Sequence, residues 1–581
     1  MLKLAAAVAA LTLLPSAGLR ADTGTPGSEP KPDRAALENF ASRRLGFMVH
    51  WGPCATIPTE IGWGIGGNRA KYEASYKTFA PKHLDLNRWA EVAERAGAKY
   101  AVLVAKHHDG FVLWDTRTTP VNVMATPLHR DVVKEYFAAF GKKKDMLVGT
   151  YLSIIDVNKQ DDTKVYAART QPPARLPAGG IPEMVKFTGD QMEELVKYGA
   201  KIMWFDGQWL TGWRESGAGR ELYARLHRLD PTVITTRLGS PGVEDFVSME
   251  AKLGEYMPTP WETVTSVAYP NYSWNPRLKY KTTEELVGSL ARVACGNGNL
   301  LLNFIPDPDG EIPAMQIALA DALGAWLKHH GASIYDTKGG PWYPADWGGT
   351  TFRGATVYVH ALPSAPGKLR LPPIANRILT AKTMTGADVP FAVSTDGDVT
   401  LDLPAARDPS DTVVVLTLEK PVAGMVAAKE SPSIFKDPAY GKIISADAKF
   451  AGTDADGVLK TVDGDPAVFG TVAGTTVATT GISDKPALIV DLGKVKTLTG
   501  VMIKVPKGGE KLTLSLSTDG KTWREVWKAV WTKPVQEIAL TDFSDHTTHE
   551  QGEKARYLKI EAHPKKPGDL RIAKFAAYGT E

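Results

Sequence analysis

Cysteine is nearly missing from this chain: Cys54 and Cys295 are the only two in 581 residues. A disulfide framework and a cysteine-rich metal site are excluded on that count. A surplus of either charge is missing too, since 68 Lys and Arg face 65 Asp and Glu. That balance supplies no footprint for nucleic acid or for an anionic membrane surface. Beyond the N-terminal segment, no uncharged apolar run reaches the roughly 20 residues that a membrane-spanning helix needs. Also missing are the HExxH zinc spacing, a P-loop, a GxGxxG turn after a strand and a GxSxG elbow. The glycine-rich stretch Gly62 to Gly67 falls between loops and does not read as a phosphate cradle. No cofactor is expected.

What is present is an ordinary globular composition, 43% hydrophobic and 23% charged, close to the average for soluble domains. At roughly 100–200 residues per domain the length suggests three or four domains. Residues 1–21 carry Lys3, an apolar run from Leu4 to Leu14, then Pro15 and small residues. This reads as a cleaved secretory signal and predicts a secreted or periplasmic protein with no membrane span after cleavage; an uncleaved anchor is the alternative. Residues 22–33, rich in Pro, Gly and Ser, read as a spacer.

From Ala35 to Ile334 short apolar runs alternate with amphipathic segments, the pattern of a parallel sheet with crossover helices. The runs are Gly46–Val49, Tyr100–Ala105, Met146–Tyr151, Ile202–Phe205, Val233–Thr236 and Leu300–Phe304. Helical spacing falls on Leu86–Ala96 and Gln191–Tyr198. Each run ends at chemistry: His50, then Lys106 to Asp109, Tyr151, Asp206, Arg237 and Asn303. Strand ends that converge on one rim are how a (β/α)8 barrel assembles a site, so an α/β fold of that kind is expected for 35–334. A doubly wound sheet also fits the count, and two of the eight strands are inferred. Carboxylates, imidazoles and tryptophans are the groups a sugar-cleaving pocket uses, aromatic faces against the ring and charged groups on its hydroxyls. No metal is expected: adjacent strand residues such as His107 and His108 point to opposite faces, and only an irregular strand end lets them share an ion.

Four segments resemble the α-L-fucosidases of glycoside hydrolase family 29. Gly46-Phe-Met-Val-His50-Trp51-Gly52 is similar to that family's opening strand, and Ala98 to Asp115, with Lys106-His107-His108-Asp109-Gly110-Phe111 at its centre, to its HHDGF segment. Trp204-Phe205-Asp206-Gly207-Gln208-Trp209 resembles the nucleophile strand, and Gly298 to Gly310 the GGNLLLN run. The resemblance covers 35–334. It implies an exo-acting retaining enzyme that releases terminal α-L-fucose from fucosylated oligosaccharides or polysaccharides through a covalent fucosyl-enzyme. By the same resemblance Asp206 is the nucleophile; His50, His107 and His108 bind hydroxyls; Tyr151 and Trp204 wall the pocket; Arg237 lines it; and Trp274 lies near the C6 methyl. For the acid/base, Glu250 in Asp245-Phe-Val-Ser-Met-Glu250 is placed first and Glu262 in Pro260-Trp261-Glu262-Thr263 second.

The chain departs from the family at Thr59-Glu60-Ile-Gly-Trp63-Gly and at Ser273-Trp274-Asn275-Pro276. Both segments belong to the pocket mouth, which puts the leaving-group preference in doubt. Two other readings stand beside the fucosidase: an inactive glycan-binding adhesin, and a glycosidase for a related sugar such as galactose. Cys54 and Cys295 read as buried thiols. Residues 335–422, with short strands and turn signals, are expected to form an antiparallel β-sandwich. Residues 447–581 resemble a discoidin-like (F5/8 type C) jelly roll in Ala487 to Gly493, Thr499 to Lys504, Leu512 to Trp523 and Ala555 to Ile560. Glycan binding by that unit and a structural role are left as equal alternatives.

Overall fold

The computed structural model describes residues 32–62, 69–160, 176–239, 243–251, 253, 256–269 and 272–425. In the C-terminal part it describes 442–443, 467–472, 475–479, 487–504, 511–530, 535–539, 553–563 and 574–580. The expected signal segment 1–21, and Trp63 and Lys252, lie outside the described residues.

Eight parallel strands form one sheet: β1 Leu45–Val49, β2 Tyr100–Lys106, β3 Leu147–Ser153, β4 Ile202–Asp206, β5 Ile234–Thr236, β6 Val247–Glu250, β7 Trp261–Ser266 and β8 Asn299–Phe304. Their order, β5-β4-β3-β2-β1-β8-β7-β6, brings first and last strand together as a nearly closed barrel. Strands β1, β2, β4, β7 and β8 are buried along their whole length, because helices cover the outside and side chains fill the inside. The seam between β5 and β6 has no strand ladder among the described residues. Asp245 bridges it instead: its N–H donates to Thr235 O at 2.8 Å, and its Oδ2 accepts from Thr235 N at 2.7 Å.

The two strands that six apolar runs left unlocated are β6 and β7, with sequences Val-Ser-Met-Glu and Trp-Glu-Thr-Val-Thr-Ser. The helix Leu86–Arg95 starts at Asp85, whose carboxylate accepts from Asn87 and Arg88 N–H groups, and it buries Trp89, Val92 and Ala93 as its spacing predicts. The helix expected over Gln191–Tyr198 runs from Gly180 to Lys197. Pro182 falls in its first turn, where no helical N–H is lost, so it does not delay the start.

Residues 338–418 form two antiparallel sheets. One holds Lys338–Gly339, Gly348–Arg353, Thr356–Ala361, Ile378–Thr383 and Thr412–Leu418; the other holds Lys368–Leu371, Phe391–Val393 and Val399–Asp402. Val357, Val359, Leu369, Leu401, Val414 and Leu416 make the core between them. A buried polar chain fastens them to the barrel. Asp411 Oδ2 lies 2.6 Å from His360 Nδ1, His360 Nε2 lies 3.2 Å from Thr351 Oγ1, and Thr351 donates to Ser333 O at 2.6 Å. The C-terminal part is a nine-stranded antiparallel sheet around the long strand Ala487–Lys504. Among the described residues no helix is long and apolar enough to cross a membrane.

One glycine sets the barrel interior. Gly46 on β1 is in register with Tyr100 on β2, and a Cβ there would lie 2.3 Å from Tyr100 Cζ. The Tyr100 ring occupies the space a side chain would take. Overpacking a core costs about 1–3 kcal/mol, so Gly46→Ala is expected to lower the melting temperature by several degrees. A melting curve superimposable on the wild type would refute the close packing.

Candidate active site

Strand alternation builds the site in two levels. Trp204 and Asp206 are two apart on β4 and share its inner face, as Ser248 and Glu250 do on β6. The upper level holds the carboxylates. Asp206, 7% exposed, accepts from Tyr151 Oη at 2.7 Å on Oδ2 and faces Arg237 Nη2 at 3.1 Å on Oδ1. Arg237 turns its other nitrogen, Nη1, to Glu250 Oε1 at 2.7 Å. One guanidinium therefore holds both carboxylates, across the seam that no ladder closes. Burial works against the charge on Arg237, but Asp206 and Glu250 outweigh it and carry its pKa above the ordinary value. Burial and the nearby Asp206 raise Tyr151 well above its ordinary value, so the phenol stays a donor.

Aromatic rings connect these groups. Tyr151 and Trp204 are cross-strand partners with ring centroids 5.1 Å apart and planes 22° apart. His107 stacks on the other side of Tyr151 at 5.2 Å and 11°, and the Arg237 guanidinium lies 4.7 Å over Trp204. The result is a column, His107, Tyr151, Trp204, Arg237, built from the ends of β2 to β5.

The histidines are held neutral. Burial lowers His50 to about 4 and His108 to about 3, and pushes His107 well below its ordinary value. Asn303 Oδ1 accepts from His50 N at 3.1 Å and lies 2.7 Å from His50 Nδ1. Since that oxygen accepts, Nδ1 carries the proton and Nε2 is left as an acceptor. His107 is the reverse: its Nδ1 accepts from His108 N at 2.8 Å, so Nε2 is the donor. His108 Nδ1 lies 2.6 Å from Ser153 Oγ, and its Nε2 is 3.7 Å from Asp206 Oδ2. Neutral imidazoles of both polarities suit sugar hydroxyls, which both donate and accept.

The irregular strand end that bringing His107 and His108 together requires is present. The β2–β3 register shifts between Val104 and Lys106, the strand ends at Lys106, and the two rings lie 4.3 Å apart. One ligand atom each from His107, His108 and Asp206 falls within a 4.8 Å group, the one such group among the described residues. Its chemistry opposes a dication, because Asp206 already faces the Arg237 guanidinium at 3.1 Å.

Glu262 is not at the rim. It is the second residue of β7, fully buried, and takes three donors: Tyr100 Oη at 2.7 Å, Trp204 Nε1 at 2.9 Å and Ser248 Oγ at 3.0 Å. Lys106 pairs with Asp156 at 3.3 Å with both side chains buried. Trp274 is half-buried on the barrel core, and the ring this segment lays beside His50 is that of Tyr272, at 5.2 Å. Tyr272 is absent from the residues singled out in the sequence, where its place beside Ser273-Trp274 is the one signal for it; Trp209, whose ring meets His108 edge-on at 5.4 Å, closes the Trp204–Trp209 segment but carries no assigned role there. The two departing mouth segments meet: Ser273 Oγ accepts from Ile61 N at 2.8 Å and donates to Glu60 Oε1 at 3.4 Å. Cys54 and Cys295 are buried thiols.

The neutral histidines fix a pH dependence. An unfolded imidazole titrates at 6.5, whereas folded His50 titrates at about 4. Below the unfolded value the unfolded chain takes up a proton that the folded chain refuses, so stability falls as pH drops through that window. The wild-type melting temperature should fall more steeply between the two values than that of His50→Asn, which lacks the titration. Parallel slopes would contradict the assignment.

Comparison with known proteins identifies the family. The family model described as Alpha-L-fucosidase matches residues 20–332. The plasma alpha-L-fucosidase of Rattus norvegicus is 30% identical over 335 residues, covering 51% of this chain and 70% of that protein. The human plasma alpha-L-fucosidase is 29% identical, over 51% of this chain and 69% of its own. Among solved structures, alpha-L-fucosidase isoenzyme 1 from Paenibacillus thiaminolyticus superposes with a TM-score of 0.59 at 30% identity, over 66% of this chain and 99% of that one. A Bacteroides thetaiotaomicron alpha-L-fucosidase, solved as a trapped covalent intermediate, superposes with a TM-score of 0.60 at 24% identity, over 67% and 98%, and bears on the fold. By barrel, site and sequence alike, this chain belongs to the alpha-L-fucosidase family.

Proposed function

We propose that the chain hydrolyses terminal α-L-fucosides with retention, using Asp206 as nucleophile and Glu250 as acid/base. The observation that carries the assignment is the shared guanidinium: Arg237 holds Asp206 and Glu250 on its two terminal nitrogens. A retaining glycosidase works with two carboxyl groups roughly 5–5.5 Å apart, and contact of both with one guanidinium supports that reading of this pair. Asp206, fixed by Tyr151 and Arg237, attacks the anomeric carbon as Glu250 gives a proton to the leaving oxygen. Glu250 then takes a proton from the water that cleaves the fucosyl ester, and the proton balance closes. Glu262 is disfavoured in this role because three donors occupy it in full burial.

His50, His107 and His108 are proposed to bind the sugar hydroxyls, with Tyr151 and Trp204 as the wall and Trp274 toward the mouth. The Bacteroides relative's trapped intermediate with 2-fluoro-fucosyl fluoride is the precedent for a covalent fucosyl-enzyme. Residues 1–21 are proposed to direct export.

Asp206→Asn should abolish turnover with the fold intact, and a 2-fluoro-fucosyl fluoride should label Asp206 in the wild type. Glu250→Ala should lose about 10²- to 10⁴-fold on fucosides with poor leaving groups, much less on activated aryl fucosides, and azide should partly restore the latter. Label on another residue, or this pattern at Glu262 instead, rejects the assignment.

The C-terminal sheet is proposed to be the discoidin-like unit that its sequence resembles, acting as a glycan-binding accessory. None of its described residues contributes a side chain to the carboxylate cluster described above. A chain ending at Val422 should keep its kcat on an aryl fucoside and lose activity on polymeric substrate, as tethering raises local concentration. Equal activity on the polymer would remove the accessory role.

A further inference from the structure

The carboxylate that the acid/base assignment leaves unused lies directly beneath the reacting groups. Glu262 Oε1 accepts from Trp204 Nε1 at 2.9 Å and from Ser248 Oγ at 3.0 Å, while Oε2 accepts from Tyr100 Oη at 2.7 Å. All of Glu262 is buried, and so are Tyr100 and Trp204. A carboxylate in such a place is costly unless its oxygens are satisfied, and here each has a donor. Burial moves its pKa up, and the three donors oppose that move.

The donor that matters is the indole. Trp204 is the middle of the aromatic column: one neighbour is Tyr151, whose hydroxyl holds Asp206, and the other is Arg237, which holds Asp206 and Glu250. Both supports of the nucleophile therefore rest on the Trp204 ring, and the ring's rotation about its side-chain bonds is fixed from below by one hydrogen bond. Tyr100 and Ser248 hold the acceptor of that bond, and Gly46 leaves the space that Tyr100 fills.

We infer that Glu262 is a positioning residue for fucoside cleavage: through the Trp204 indole it sets the orientation of Tyr151 and Arg237 and hence the aim of Asp206. The inference rests on the function proposed above. It differs from a proton-donor role in its signature. A proton donor matters most for poor leaving groups, whereas a misaimed nucleophile slows every fucoside alike. A misplacement of about 1 Å in an active site can cost about 10²-fold.

The test uses the full chain with Glu262→Leu, Glu262→Gln, Ser248→Ala, Trp204→Phe and the Glu262→Leu/Trp204→Phe double variant. Glu262→Leu should lower kcat by about 10- to 100-fold on aryl and alkyl fucosides by the same factor. KM should change little, and azide should restore nothing. Glu262→Gln, which keeps an oxygen for the indole, should recover most of that loss. Trp204→Phe keeps the ring and lacks the N–H, so once Trp204 is changed, Glu262→Leu should cost little more; residues acting through one bond are non-additive. Losses that multiply, or losses confined to poor leaving groups and rescued by azide, would overturn the inference.

A second readout needs no turnover. In protein labelled with 5-fluorotryptophan, the ¹⁹F signal absent from Trp204→Phe identifies Trp204. That signal should shift in Glu262→Leu and, by less, in Ser248→Ala, which removes one donor to the same oxygen. Ser248→Ala also covers the case in which Glu262→Leu does not fold. An unmoved Trp204 signal overturns the inference. A wild type inactive on every fucoside overturns the proposed function, and the fluorine signals still decide whether Glu262 orients Trp204.

Discussion

The site depends on one buried cation. Asp206 ends β4 and Glu250 ends β6, on either side of the short β5, in a barrel interior where water does little to screen them, and two carboxylates there repel unless a positive charge lies between them. Arg237 supplies it with a planar fork that reaches both at once. Its backbone is left-handed, φ 59°, an uncommon conformation for a residue with a side chain. It starts where β5 stops after only three residues, at the seam that Asp245 bridges. The break in the ladder and the placement of the cation are one feature: a continued β5 would have kept the chain extended through this position.

Below the cation the barrel is less a filler of hydrophobic side chains than a polar truss. Four strands contribute to one hydrogen-bonded knot, Tyr100 from β2, Trp204 from β4, Ser248 from β6 and Glu262 from β7. Ser248 and Glu262 are register partners on β6 and β7, and the absent side chain of Gly46 gives Tyr100 its room. Rigid support of this kind is what a nucleophile needs, since attack depends on small distances and angles. On the proposed assignment, the barrel floor is part of how Asp206 is aimed.

Much of this was legible in the sequence, and the exceptions have physical causes. Strand ends carrying His50, Asp206, Arg237 and Asn303 announced themselves because apolar runs stop abruptly at polar residues. Strands β6 and β7 did not, because Ser248, Glu250 and Glu262 are polar residues facing the inside, where the usual pattern is apolar. Ile378–Thr383 is hard to read for the opposite reason: only Ile378 and Ala381 are buried in it, so no alternation advertises the strand. His107 and His108 come together through a register shift that composition cannot encode. Tyr272 lies beside His50 only because the chain turns back after β7, and single-sequence spacing carries no record of that turn.

The contact between the two mouth segments bears on how leaving-group preference can change in this family. Ser273 is buried and binds the backbone of Ile61 and the side chain of Glu60, so the two segments behave as one mortised joint although more than two hundred residues of chain separate them. A loop grafted alone from a relative would arrive without its counterpart and leave Ser273 or Glu60 facing the wrong surface. A redesign of this rim therefore has to exchange both segments together.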